Sequence, residues 1–344
     1  MPPPNPPKAN TVTASAAKHA DPKKVIIWRY LEECFNQGKE EVVMEICHPE
    51  YLNRSSVMAV PKGREGLISN IRNGRSTIEG MKLNVIAMVA EGDDVILLRQ
   101  TRGKTGRYLG DGDSDAEASQ WTLAAFGFED GRIRHHISNW EPLRIMAHGG
   151  ALDAALAKAN GRRVPNFAGT DLNVRRFESY SKYPSYEEAV SLRPASPNER
   201  QRNAALVENM LRFGFGAGSV MAAEELVAPN AYLSYADFPD QRGPAGLAKR
   251  RAAFGAAFEG ATFDIKILLV EAGSAAVRWE MKLTDHGGYL GLPATGRTIT
   301  ATGSAFARIE DGRVVEWMEV IDLLRILRQL GGLAAVMPGA FPDQ

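Results

Sequence analysis

The chain has 344 residues, enough for two domains of ordinary size, and with 44% hydrophobic residues each half can build a core. Its 41 basic and 41 acidic side chains cancel, which excludes a general affinity for phosphate backbones or anionic membrane surfaces. Two cysteines, Cys34 and Cys47, are too few for a disulfide framework and match no metal-knuckle spacing, so both read as small core residues of a reducing compartment.

Residues 1–20 are rich in Pro, Ala and small polar types, lack the apolar run of a signal peptide, and read as a flexible tail. From Pro22 to Asn36 apolar residues recur at three and four, the period of an amphipathic helix. A short second helix runs into a strand-like Tyr51-Leu52, and a third helix follows the turn Gly63-Arg64-Glu65-Gly66-Leu67. Alternating segments then predict strands over Met81 to Ala90, Asp94 to Thr101, Ala118 to Phe128 and Ile133 to Trp140, with Gly92 and Gly131 at hairpin turns. Residues 21–150 thus form one domain.

Between 151 and 200 lies a linker, helical over Ala151–Lys158 by composition and then broken by Pro165, Pro184, Pro194 and Pro197. Its aromatics Phe177, Tyr180, Tyr183 and Tyr186 are too many for a free tether, so it is expected to pack on a domain.

Residues 201–335 repeat the first pattern about 180 positions on. Leu31 and Phe35 answer Leu211 and Phe215; Tyr51-Leu52 answers Tyr232-Leu233; Glu79-Gly80 answers Glu259-Gly260; Asp130-Gly131-Arg132 answers Asp311-Gly312-Arg313. The predicted elements are a helix over Asn203 to Phe215, a helix opened by Pro244, and strands over Thr262 to Glu271, Ala275 to Thr284, Arg297 to Ile309 and Val314 to Ile321. Helices first and strands after define an α+β fold with an antiparallel sheet in each copy.

The second copy carries Arg242-Gly243-Pro244-Ala245-Gly246-Leu247, then Val277-Arg278-Trp279-Glu280 leading to Asp285-His286-Gly287-Gly288-Tyr289-Leu290-Gly291-Leu292-Pro293-Ala294-Thr295-Gly296. It closes with Asp311-Gly312-Arg313-Val314-Val315-Glu316-Trp317 through Asp322 to Arg328-Gln329-Leu330-Gly331. In these segments it resembles the SnoaL-like polyketide cyclases of the nuclear transport factor 2-like superfamily. The first copy keeps the skeleton with the signature eroded: Leu98 is aligned with Trp279, Thr105 with His286, His136 with Trp317 and Glu141 with Asp322. The resemblance implies two tandem cone-shaped α+β barrels, each a curved sheet wrapped around helices, packed through their sheets as an intrachain pseudo-dimer.

It also implies a cofactor-free, metal-free cyclase or isomerase acting on a small apolar, polyketide-like carbonyl compound in the C-terminal cavity. Asp322 matches the family's acid/base carboxylate, and desolvation would raise its pKa and make it a stronger base; as the residue before Leu323-Leu324 it would equally cap a helix. His286 could polarise a carbonyl or face solvent in its Gly-rich loop. Trp279 and Trp317 could stack on a flat ligand or simply fill the core, and Tyr235 could donate to an enolate oxygen. Arg278 and Glu280 share a strand face, which leaves an epoxide or lactone hydrolase as the enzymatic alternative, with a non-catalytic small-molecule-binding protein as the other. Nucleic-acid and membrane partners are not expected, the location expected is cytoplasmic, and a homodimer is the further assembly the fold allows.

Overall fold

The computed structural model describes residues 20–55, 62–104, 117–148 and 183–332, together with 150, 152–153, 156, 165–167 and 170 of the connecting segment. Residues 1–19 of the predicted tail, Thr105, Phe177 and Tyr180 lie outside these residues.

In the first half, α1 (Pro22–Arg29) opens with Asp21 as N-cap and continues as wider π-helical turns over Tyr30–Asn36. It is followed by α2 (Glu41–Ile46), β1 (Cys47–Ser55), α3 (Gly63–Thr77), β2 (Glu79–Glu91), β3 (Asp94–Lys104), β4 (Glu117–Glu129), β5 (Arg132–Trp140) and α4 (Pro142–His148). The short α5 (Tyr186–Val190) precedes the second half. That half runs α6 (Pro197–Gly214), α7 (Ala223–Leu226), β6 (Val227–Ser234), β7 (Gln241–Arg242), α8 (Gly243–Ala257), β8 (Phe258–Glu271), β9 (Ser274–Asp285), β10 (Thr298–Glu310), β11 (Arg313–Ile321) and α9 (Leu323–Gln329).

The sheets have the orders β1-β5-β4-β3-β2 and β7-β6-β11-β10-β9-β8. Each is antiparallel except at one pairing: β1 lies parallel to β5, and β6 parallel to β11. The sheets are therefore mixed, because the strand after the second helix joins the last strand of its half across a long connection instead of through a hairpin. β2 and β8 each carry a bulge, between Val85 and Ala87 and between Ile265 and Ile267, where strand curvature increases.

Register corrects part of the repeat alignment. Thr122 pairs with Trp140 and Arg99, whereas Gly303 pairs with Ile321 and Trp279. Arg99, not Leu98, therefore stands at the place of Trp279. The same comparison puts Leu52 at the place of Tyr232, since their partners His135 and Glu316 correspond. The span from Trp279 to its partner Gly303 is one residue longer than that from Arg99 to Thr122, which produces the slip.

Alternation sorts each strand into two faces. On β4, Ala124 and Phe126 enter the N-terminal core with Tyr30, Leu31, Tyr51 and Val95, while Trp121, Leu123 and Ala125 face away from it. Those outward residues join Ile86, Val89, Ile96 and Leu98 in a shared cluster with Leu269, Ala276, Phe306, Met318 and Val320 of the second half. The two sheets thus pack back to back, as the intrachain pairing requires. The linker's Tyr186 packs edge-on against Trp28, 5.3 Å between ring centroids, and Tyr183 donates to Gln100. No helix among the described residues is long and apolar enough to cross a membrane.

Candidate functional site

The inward face of the second sheet carries the unusual chemistry. On β11, Met318 and Val320 belong to the seam between the halves, so Trp317, Glu319 and Ile321 point the other way, into the cone. Helix α8 lies across that face with a buried stripe of Gly246, Leu247, Arg250, Phe254 and Ala257. Four of these are what a helix buries; Arg250, 2% exposed, is not.

Arg250 is the centre of a buried cluster. Its Nη2 lies 3.1 Å from Asp237 Oδ1 and 3.6 Å from Glu319 Oε1. The guanidinium carbon sits 4.9 Å from the Phe254 ring centroid, 5.1 Å from Tyr235, 5.3 Å from Phe215 and 5.8 Å from Phe238. Glu319 Oε2 accepts from Trp317 Nε1 at 3.1 Å, and Asp237 Oδ2 accepts from the Tyr289 hydroxyl. Removing such charges from water is expensive unless each is paired. Here the arginine is shared, with the closer contact going to Asp237.

Burial of the cluster shows in protonation. Burial pushes the Glu319 carboxyl up to about 7; the Arg250 charge opposes the rise, and the Asp237 charge adds to it. Burial also pushes the Tyr235 and Tyr289 hydroxyls well up, so both remain neutral donors. The cluster combines a carboxyl able to take or return a proton near neutrality, a fixed cation and phenol donors within an aromatic wall.

The loop between β9 and β10 delivers Tyr289. The N–H groups of His286 and Gly287 both donate to the Ala257 carbonyl at 3.1 Å, and Asp285 Oδ2 accepts from Thr295 N (2.6 Å) and Thr295 Oγ1 (2.7 Å). A Cβ on Gly287 would lie 1.7 Å from the Ala256 carbonyl oxygen, so this close approach requires glycine. Clamped at both ends, the loop turns Tyr289 inward and leaves His286 exposed.

Of the residues singled out from sequence, Tyr235 and Trp317 join the Arg250–Glu319 cluster. Trp279 is fully buried on the same inward side, 6.0 Å from Phe215, with its ring over Gly303, and its Nε1 has no hydrogen-bond partner. Asp322, 1% exposed, is the N-cap of α9: its Oδ1 accepts from Arg325 N at 3.0 Å, and its own N–H donates to the Thr302 carbonyl. His286 is not brought to the cluster. Arg278 and Glu280 form a 3.7 Å ion pair on the face opposite Trp279, with the Glu280 side chain 47% exposed, so this acid–arginine pair lies outside the cone. Arg250, Asp237, Tyr289 and Glu319 were missed. Two of them were signalled: Arg250 interrupts an apolar helical stripe, and Glu319 shares the inward parity of Trp317 and Ile321. Among the described residues no group of three or more His, Cys, Asp or Glu is placed to hold a metal ion.

A family model described as SnoaL-like polyketide cyclase matches residues 25–148 and again 205–330. No curated protein matches the chain. Among solved structures, TsrD from Streptomyces laurentii is 28% identical over 38% of this chain and 96% of its own, with a TM-score of 0.35. IdmH from Streptomyces antibioticus is 22% identical over 37% of this chain and 98% of its own, TM-score 0.34. An LEH-like epoxide hydrolase from M. tuberculosis is 12% identical over 39% and 96%, TM-score 0.32.

Proposed function

The chain belongs to the SnoaL-like polyketide cyclase family, in two copies, and from that premise we propose that its C-terminal half is a cofactor-free acid–base catalyst acting on a small apolar carbonyl compound. Glu319 is the carboxyl that moves the proton. The observation that carries this reading is a buried carboxyl 3.6 Å from a guanidinium that it shares with Asp237 and accepting from Trp317 Nε1; burial pushes such a group up to about 7, where a general base works at neutral pH. As carboxylate it removes a proton from the carbon beside the carbonyl; the enolate oxygen is held by the Arg250 charge and the phenol of Tyr235, while Tyr289 holds Asp237; the resulting carboxylic acid returns the proton to the product oxygen or carbon. Trp317 orients Glu319 through its Nε1–H, and Phe215, packed against Trp279, forms part of the aromatic wall around Arg250. Asp322 in this reading fixes the end of β11 as a cap.

The test is deuterium incorporation beside the carbonyl of 2-tetralone, an enolisable bicyclic ketone, followed by NMR. The wild-type chain should accelerate exchange. Glu319→Gln should lose roughly 100-fold or more, and Asp322→Asn should stay within a few-fold of wild type. Full activity in Glu319→Gln would rule Glu319 out, and loss confined to Asp322→Asn would return the base to the family's position.

A further inference from the structure

A cleft of about 1070 Å³ opens on the seam between the halves, outside both cones. Its floor is the outward side of the two sheets, where Ile86 and Ala87 of β2 share a cluster with Phe306 of β10. Two phenol rings, Tyr183 of the linker and Tyr232 of β6, pack on that cluster and stay partly exposed in the cleft. The volume exceeds the roughly 300–1,000 Å³ of a drug-sized pocket, and the lining is polar and apolar alike, which suits a length of peptide. Among the charged lining residues, Lys24 pairs with Glu271 at 2.6 Å and Arg308 with Glu316 at 2.8 Å. Glu188 and Glu310 then stand against Arg193, an excess of one negative charge.

The chain enters the described structure at the rim of this cleft. Ala20 bridges Ser191 in the antiparallel sense, the Asp21 N–H donates to the Val190 carbonyl at 2.9 Å, and Ser191 is itself a lining residue. Traced backwards from Ala20 in that sense, the chain runs along Leu192, which is 44% exposed, and Arg193, which also lines the cleft. Residues 1–19 hold five prolines, at positions 2, 3, 4, 6 and 7, with Lys8 and Lys18 and no acidic residue. A proline run is already close to its extended polyproline conformation, loses little entropy on docking, and is what aromatic-lined grooves bind. The excess charges of segment and cleft are opposite in sign. The 13 steps from Pro7 to Ala20 span up to about 40 Å, and the cleft's stretch of β10, residues 306–310, is under about 20 Å long.

We propose that this cleft is the docking site of the chain's own residues 1–19. The proline run lies extended against Tyr183, Tyr232 and Phe306, and Lys8 lies toward Glu310. The tether supplies the segment at high effective concentration, and because both halves line the cleft, the docked segment closes the seam from outside.

The experiment is paramagnetic broadening in the full-length chain with ¹³C-labelled Ile and Met methyl groups. A nitroxide is attached at Asn5→Cys; Cys34 and Cys47 are each 0% exposed and take no label. The methyl signals of Ile86, Met88 and Ile309, which line the cleft, should be lost and should return when ascorbate reduces the nitroxide. The signal of Ile326 should persist, since its helix α9 packs at Thr300, toward the opposite end of β10. Pro3→Ser, Pro4→Ser, Pro6→Ser and Pro7→Ser together should restore the lost signals, and Glu310→Lys should restore them in part. No loss at the cleft, equal loss at Ile86 and Ile326, or loss unchanged by the proline substitutions would each overturn the site. In a mixture of nitroxide-bearing chain without ¹³C and ¹³C-labelled chain without nitroxide, no loss is expected. Loss there would make a second copy the donor of the segment and overturn docking within one chain. The cleft lies outside the C-terminal cone, so failure here leaves the Glu319 reading standing, and the reverse holds too.

Discussion

Glu319 lies buried at an inward position of β11, and the loss of hydration makes its carboxyl weak in acid strength; the Arg250 charge, shared with Asp237, opposes the rise without cancelling it. The consequence for stability has a definite sign. The folded-state pKa, about 7, lies above the ordinary value of 4.5, so between these two pH values the folded chain binds more protons than the unfolded chain. The group therefore favours folding least at high pH: stability falls as pH rises from about 4.5 through about 7. Glu319→Gln should remove this slope, so the substitution is more favourable at pH 8 than at pH 5 in urea unfolding. Arg250→Met acts oppositely, leaving two buried carboxyls without their cation; a loss of roughly 3–5 kcal/mol is expected in the same measurement at pH 8. Both residues were visible in the sequence as charges on apolar faces. Their convergence was not, because Asp237 and Tyr289 come from irregular segments whose course no periodicity reports.

Elements were more legible than residues. The helical and alternating periods located α1 and the paired strands to within a few positions, since each has one face against a core; α6 begins at Pro197, inside the expected linker and six residues before Asn203. Register was harder. The parallel pairing of β1 with β5 leaves no local mark, and the one-residue slip between the halves falls in a connection, so Leu98 was aligned with Trp279 where the sheet puts Arg99. The helix-cap alternative for Asp322 is realised: its side chain holds the first turn of α9. Asp322→Ala should cost about 1 kcal/mol or somewhat more in thermal unfolding, without moving the titration of Glu319. A shift of that titration together with the stability would tie Asp322 to the acid–base cluster.

At the scale of the whole molecule the two halves meet by reciprocal contacts. The Ala90 N–H donates to Glu271 Oε1 at 2.9 Å, and the Val270 N–H donates to Glu91 Oε2 at 3.1 Å; the two pairs are equivalent under the repeat. Each carboxylate also takes a cation from the first helix of the opposite half: Lys24 on Glu271, and Arg200 on Glu91. This is the self-complementary pattern of an isologous dimer, contained in one chain. The cations differ in burial. The Lys24 and Glu271 side chains are 2% and 3% exposed, whereas Arg200 is 51% exposed. Lys24→Met, which strands a buried carboxylate, should therefore cost roughly 3–5 kcal/mol, and Arg200→Met less than about 1 kcal/mol; equal costs in chemical denaturation would contradict the asymmetry. Duplication and back-to-back pairing could be anticipated from the ordered repeat. That Arg99, Thr101, Gln120 and Thr122 share the concave side of the N-terminal sheet could not, because it emerges only once the register of β3 and β4 is known.

The titration of one carboxyl group bears most directly on all of this. In protein labelled with ¹³C at glutamate side-chain carboxyls, the resonance missing from Glu319→Gln should titrate with its midpoint near pH 7. A midpoint near 4.5 for that resonance would mean that the C-terminal cone holds no group poised for proton transfer at neutral pH, and would contradict the account.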